Sequence, residues 1–191
     1  CSNERFIADS LFCSIAWAAD IICGKQVTSP DGKFQVFPAD MQRRIKSFAS
    51  EGGHLLVSGA YIGTDLWDEV YPVDSLSKAE AQEFAKSVLG YELVTGQASN
   101  AGVVSCSDGK EMNYWHAPNP ASYCVESPDG IKPSSADGTA IYWYPGNMIP
   151  AGVAYDGTRY KCISLGFPIE VMKAPEHIHK IITDALDYFE R

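Results

Sequence analysis

Helical apolar stripes alternate with short apolar runs as far as Gly90, and short strand-like segments crowd the rest of the chain. Ile7, Leu11, Ile15 and Ala18 recur at the spacing of one helical face, which predicts an amphipathic helix over residues 4–18. Ala19-Asp20-Ile21-Ile22-Cys23 then reads as a short buried strand closed by Gly24, and Ser29-Pro30-Asp31-Gly32 as a turn. Met41, Ile45 and Phe48 mark a second amphipathic helix that starts near Pro38 and stops at Gly52-Gly53. A strand over 54–58 follows. Ser77-Lys78-Ala79-Glu80 is a capping box for a third helix, with Phe84, Ala85, Val88 and Leu89 inward and Gly90 at its end. Such βα alternation predicts an open, largely parallel sheet.

After Gly90 the texture changes. Residues 91–105, 122–126, 139–144, 152–155 and 160–165 are strand candidates separated by turn signals such as Ser107-Asp108-Gly109, Pro128-Asp129-Gly130 and Asp137-Gly138. Asp156-Gly157, flanked by Ala151-Gly152-Val153-Ala154-Tyr155 and Thr158-Arg159-Tyr160-Lys161, predicts a hairpin. From Pro175 a last amphipathic helix uses Ile178, Ile181, Ile182, Leu186 and Phe189 as its buried stripe. The whole reads as one α/β domain over residues 1–191 with an antiparallel extension on its sheet.

The strand over 54–58 ends in Gly59-Ala60-Tyr61-Ile62-Gly63 and leads into Thr64-Asp65-Leu66, a helix start. Several α/β hydrolytic folds present a serine or cysteine on such a Gly-x-nucleophile-x-Gly turn. The glycines permit the sharp turn, and the next helix points its N–H groups at developing negative charge. Here the presenting position holds Tyr61, so the layout of an active site is present without its usual reagent.

Composition narrows the function classes. The chain has 191 residues and a net charge of −9, with no basic cluster beyond Arg43-Arg44 and Lys46. Nucleic acid is therefore excluded as an expected partner. No apolar run approaches the roughly 20 residues that span a bilayer, and no signal peptide is present. The first residue is not methionine, so a piece of a longer protein is expected. Six cysteines include no Cys-x-x-Cys pair, which argues against structural zinc and thioredoxin-like chemistry. Cys23 and Cys162 read as buried free thiols, while Cys106 and Cys124 lie in a β-rich stretch where pairing stays open. No cofactor or metal is implied.

Helix, Gly-Gly, strand and Gly-x-x-x-Gly turn, followed late by Cys162-Ile163-Ser164-Leu165-Gly166-Phe167-Pro168-Ile169-Glu170 and a last helix, resemble class I glutamine amidotransferase-like domains. More narrowly, Cys1-Ser2-Asn3-Glu4, residues 19–26, residues 55–63 and Gly166-Phe167-Pro168 are similar to segments of secreted gut-bacterial proteins labelled xanthan lyases, some with golvesin-like modules. The resemblance implies a flavodoxin-like three-layer sandwich with a mostly parallel sheet, and a secreted or periplasmic location. It also puts Tyr61 where the family's thiol nucleophile belongs, and Phe167 where its base belongs, ahead of Glu170. A tyrosine with an ordinary pKa of roughly 10 is a poor replacement for a thiolate. Glutamine hydrolysis is not expected.

Two functions follow. The first is a non-catalytic ligand-binding or accessory domain of a secreted glycan-processing protein, with carbohydrate or other modules of the same parent as partners. The second is a polysaccharide lyase or hydrolase using Tyr61 and a nearby carboxylate, with Glu170 the foremost candidate. Candidate ligand residues are Ser58, Gly59 and Ala60 at the turn, and Trp115 and His116 on a loop near Pro118-Asn119-Pro120, where a ring can stack on a sugar face. Cys1, Ser2, Asn3 and Glu4 join them if the chain starts at a strand's C-terminal edge, although Ser2 as a helix cap serves equally well. His177 and His179 point to different sides of a helix and read as surface positions, and Asp65, Asp68 and Glu69 as ordinary first-turn acids.

Overall fold

Three apolar runs that read as buried strands lie side by side and parallel in the computed structural model, which describes residues 17–23, 35–67, 77–117, 125 and 127–191. They are β1 (Ala18–Ile22), β2 (His54–Ser58) and β9 (Lys161–Leu165). Leu55 pairs with Cys162 and Val57 with Ser164, which puts these four on one face. That face meets the π-helical turn Ala85–Leu89 that extends α3 (Lys78–Phe84), where the Ser164 hydroxyl donates to the Leu89 carbonyl at 3.0 Å. A strand buried on both faces has no polar alternation, which is why β2 and β9 read as continuous apolar runs.

The rest of the sheet is antiparallel. β8 (Ile149–Asp156) forms the Asp156-Gly157 hairpin with β9, and β7 (Gly138–Tyr144), β4 (Val103–Cys106) and β5 (Glu111–Asn113) continue outward. The order is β1-β2-β9-β8-β7-β4-β5. β3 (Tyr91–Thr95) and β6 (Gly130–Pro133) form a separate two-stranded antiparallel sheet. Helices among the described residues are few: α1 (Ala39–Ser50), the single turn α2 (Thr64–Trp67), α3, and α4 (Pro175–Glu190).

This overturns the expected flavodoxin-like, mostly parallel three-layer sandwich. Four of the six strand pairings are antiparallel, and the sheet is a curled, mixed half-barrel with few helices among the described residues. The hairpins are most of the sheet rather than an extension of it. Two register shifts between β7 and β8 provide the local irregularity that bends such a sheet. The prediction leaned on alternation before Gly90, whereas strand direction is decided by partners far along the chain.

Local signals fare better. The capping box at Ser77 forms, with the Glu80 N–H donating to Ser77 Oγ and the Ser77 N–H donating to Glu80 Oε2. Gly90 closes the helix at φ +77°, and a Cβ there would lie 2.3 Å from Tyr155 Cβ. The predicted strand over 91–105 is interrupted between Thr95 and Val103, and that interruption shapes the cleft described below. Ala18, placed by periodicity in the first helix, belongs to β1; residues 4–16 of that helix lie outside the described residues. No helix among the described residues is long and apolar enough to cross a membrane.

At the opposite end of the parallel strands, His54 stacks on Phe189 of α4 and accepts a hydrogen bond at Nδ1 from the Lys161 N–H at 2.8 Å. Burial and the Lys161 charge lower its pKa, so the folded state favours neutral imidazole. The unfolded chain binds the proton more readily, so this contribution is full above about pH 6.5 and is lost as pH falls through the lower folded value. His54→Gln, whose amide oxygen can accept the same N–H, is expected to flatten that acid-side loss in urea titrations between pH 7.5 and 5. An unchanged acid limb would remove His54 from the account.

Candidate functional site: the turn after β2 and the cleft beside it

The C-terminal ends of the parallel strands are tied together before the turn begins. The Cys23 N–H donates to the Ser58 carbonyl at 2.8 Å, and the Gly59 N–H donates to the Leu165 carbonyl at 3.1 Å. A Cβ on Gly59 would sit 2.6 Å from the Cys23 carbonyl oxygen, so the turn needs glycine at that point. Beyond it the Asp65 N–H reaches the Tyr61 carbonyl, and the Leu66 and Trp67 N–H groups share the Gly63 carbonyl. Asp65 is buried and accepts from the Val36 N–H at 2.6 Å, a structural role more specific than a dipole complement.

Asp129, which the sequence marked only as part of a turn, occupies the centre of this arrangement. Its Oδ2 accepts the N–H groups of Gly63 at 2.6 Å and Thr64 at 2.9 Å, and its Oδ1 accepts the Thr64 hydroxyl at 2.5 Å. These backbone donors are among those a nucleophile turn would aim at developing charge. Here a side chain of the same protein consumes them. Asp129 is fully buried, and burial pushes its carboxyl up to about 7 against the downward pull of the three donors. Its backbone is pinned as well: the Asp129 N–H donates to the Gly166 carbonyl, and the Tyr144 hydroxyl donates to the Asp129 carbonyl, both at 2.9 Å.

Beside the turn opens a cleft of about 1220 Å³. Tyr61, Thr64 and Trp67 form one wall, and Leu93 with the loop from Thr95 to Ala101 forms another; Ser127 and the Gly146-Asn147 turn are the other described lining residues. The loop is held from several sides. The Ala98 N–H donates to the Pro128 carbonyl at 3.1 Å, and Asn147 Nδ2 donates to the Ala98 carbonyl at 2.8 Å. Asn147 Oδ1 accepts the Ile149 N–H, and the Thr95 and Ser99 hydroxyls accept the N–H groups of Gln97 and Ala101. Gly96 lies against Thr64, whose hydroxyl would be 2.2 Å from a Cβ there. The side-chain amides of Gln97 and Asn100 are left at the exposed rim. None of the described lining residues is Asp, Glu, Lys, Arg or His.

The structure places the sequence-predicted residues in different surroundings. Tyr61 reaches the cleft with 7% of its surface exposed. Ser58, Gly59 and Ala60 lie beneath it, buried. Glu170 is half-buried near Asp20, whose carboxyl is raised to about 6 by burial and by Glu170; Asp20 keeps one solvent-facing side. Neither carboxylate lines the cleft. Trp115 carries Lys173 Nζ 4.9 Å over its ring, and His116 sits against Gly102, both outside the lining. Cys23, Cys106 and Cys162 are free thiols, and burial pushes the Cys23 thiol far up, the opposite of an activated nucleophile. Cys1, Ser2, Asn3, Glu4, Cys13, Asp68, Glu69 and Cys124 lie outside the described residues.

Trp67 and the 95–101 loop escaped the sequence reading. Their signal was weak: a Trp just past the turn, and a Thr-Gly-Gln-Ala-Ser-Asn run that reads as any polar loop.

No family model matches the chain, and no curated protein matches it. Among solved structures, it is similar to the exo-beta-1,4-mannosidase Op5Man5 from Opitutaceae bacterium strain TAV5, at 12% identity and a TM-score of 0.42. That superposition covers 80% of this chain and 22% of the mannosidase, so the chain spans about a fifth of that protein. So loose a likeness assigns neither fold nor activity.

Proposed function

We propose that this chain is a non-catalytic carbohydrate-binding accessory domain, part of a longer secreted glycan-processing protein. The observation that carries the reading is the internal occupation of the turn. The N–H groups of Gly63 and Thr64 are already satisfied by Asp129, and Tyr61 stands in place of a nucleophile with no imidazole among the described lining residues. Acyl transfer at this turn would require the developing oxyanion to displace a buried carboxyl. Lyase chemistry would require a cation to neutralise a uronate, and the described lining offers none.

What the cleft does offer is suited to recognition. Sugar rings present C–H faces that stack on indole and phenol rings, and hydroxyls that pair with amides and other hydroxyls. Trp67 supplies the former, with Tyr61 packed behind the wall; Gln97 and Asn100 supply groups of the latter kind. A loop already fastened at Ala98 and Asn147 pays little ordering entropy on binding.

Trp67→Ala is expected to weaken binding of oligosaccharides about tenfold by calorimetry, equivalent to about 1.4 kcal/mol. Tyr61→Phe should keep binding within about threefold, with no turnover of any glycan by either protein. Release of new sugar ends by the parent chain that Tyr61→Phe abolishes, with folding intact, would replace this reading with the enzymatic one.

A further inference from the structure

We infer that the cleft selects uncharged glycan chains and turns away those built from uronic acids. The inference rests on the carbohydrate reading above and adds the ligand's charge class to it.

Size points to a chain. At about 1220 Å³ the cleft exceeds the roughly 300–1,000 Å³ of ordinary small-molecule sites. An oligomer laid along the wall from Trp67 to Asn100 fills it better than a single ring.

Charge then chooses between classes of chain. A carboxylate leaving water needs a guanidinium, an ammonium or a set of converging N–H groups. No described residue of the lining supplies a cation. The stretches that flank it in sequence, residues 68–76 and 118–126, contain no Lys or Arg either. The N–H groups of Gly63 and Thr64, the turn's natural anion donors, are spent on Asp129. Asp129 itself lies directly behind that wall: its Oδ2 would be 3.2 Å from a Cβ on Gly63. A uronate at that wall lies over a buried carboxyl, with the two backbone donors there already taken. Over longer range the net charge of −9 repels polyanionic chains before they dock.

For an uncharged chain the same features cost nothing. The Gln97 and Asn100 amides each carry a donor and an acceptor, matching a hydroxyl that is both. Thr64, by contrast, is committed to Asp129 and serves as a packing surface.

The test uses matched pairs that differ only in oxidation at C6: gluco-, galacto- and mannohexaose against their hexuronates, titrated calorimetrically into the full chain. At least one hexaose is expected to bind, with its hexuronate at least about tenfold weaker in about 20 mM salt. The gap should narrow in about 500 mM salt, where repulsion beyond a few ångströms is screened. Asn100→Lys, at an exposed position, should raise hexuronate affinity about tenfold by adding a cation, of which the described lining has none. A hexuronate that binds as tightly as its hexaose overturns the charge selection and leaves the carbohydrate reading standing. An Asn100→Lys protein that still rejects hexuronates also overturns it. Failure of every hexaose and hexuronate to bind defeats the carbohydrate reading, and this inference with it.

Discussion

Gly166→Ala is expected to destabilise the protein by about 3 kcal/mol and to distort the cleft wall, through one methyl group. A Cβ on Gly166 would lie 2.1 Å from the Asp129 carbonyl oxygen and 3.0 Å from its carbonyl carbon. Both are backbone atoms, so no rotamer change relieves the overlap. Either β9's end or the Pro128-Asp129-Gly130 segment must move. If that segment moves, the carboxyl that holds Gly63 and Thr64 moves with it. Urea unfolding reads the stability loss, and oligosaccharide titration reads the cleft. A Gly166→Ala protein within about 0.5 kcal/mol of the parent would mean that the close approach of the two segments is not maintained in solution.

The second large effect lies in Asp129 itself. Asp129→Ala leaves two backbone N–H groups and a hydroxyl without their acceptor in the interior, and each buried orphan costs about 1–3 kcal/mol. A loss of about 3 kcal/mol or more is expected. Asp129→Asn is predicted to behave differently, because its amide oxygen can accept from Gly63 and Thr64 while its NH₂ donates to the Thr64 oxygen.

The asparagine variant also tests the charge. The Asp129 carboxyl titrates near 7 in the folded protein, against an ordinary value of 3.8. The folded state therefore holds the proton over a range where the unfolded state has released it. Stability from this group is full below about pH 3.8 and is lost as pH rises to about 7, at about 1.4 kcal/mol per pH unit. This is opposite in sign to the His54 contribution, and the two variants separate them. Asp129→Asn should match the parent near pH 4 and exceed it at pH 8. If the parent instead gains stability relative to Asp129→Asn as pH rises, the three donors outweigh burial and the carboxyl is ionised throughout.

Both effects depend on contacts that the sequence does not display. Asp129 is separated from Gly63 and Thr64 by more than sixty residues, with sequence separations of 66 and 65. In the sequence it sits in Pro128-Asp129-Gly130, and any such triplet reads as a surface turn. Nothing local distinguishes a buried, thrice-bonded aspartate from a solvated one. The candidate site shows the same limit. Tyr61 was legible because glycines flank it at the end of an apolar strand, a pattern within a few residues. Trp67 and Asn100 face a common cleft only because the loop after β3 folds back and is fastened through Asn147.

Elements whose cause is short-range can be read from the residues alone. Periodicity placed α1 and α4, although Ile182 and Leu186 of the stripe expected on α4 are exposed and Ala185 is buried instead; Ser77 and Glu80 closed a capping box, Gly90 ended its helix, and Asp156-Gly157 made a hairpin. Each of these is settled by neighbours a few residues away, through backbone hydrogen bonds and a side chain's reach. Tertiary structure decided the rest. It made the sheet mixed rather than mostly parallel, because β9 pairs with β2 on one side and β8 on the other in opposite senses. It also turned an acid from an ordinary turn into the group that fills the catalytic-looking donors. Strand partners and buried hydrogen bonds are chosen by which distant surfaces pack together, and the free energy of that choice is spread over the whole core.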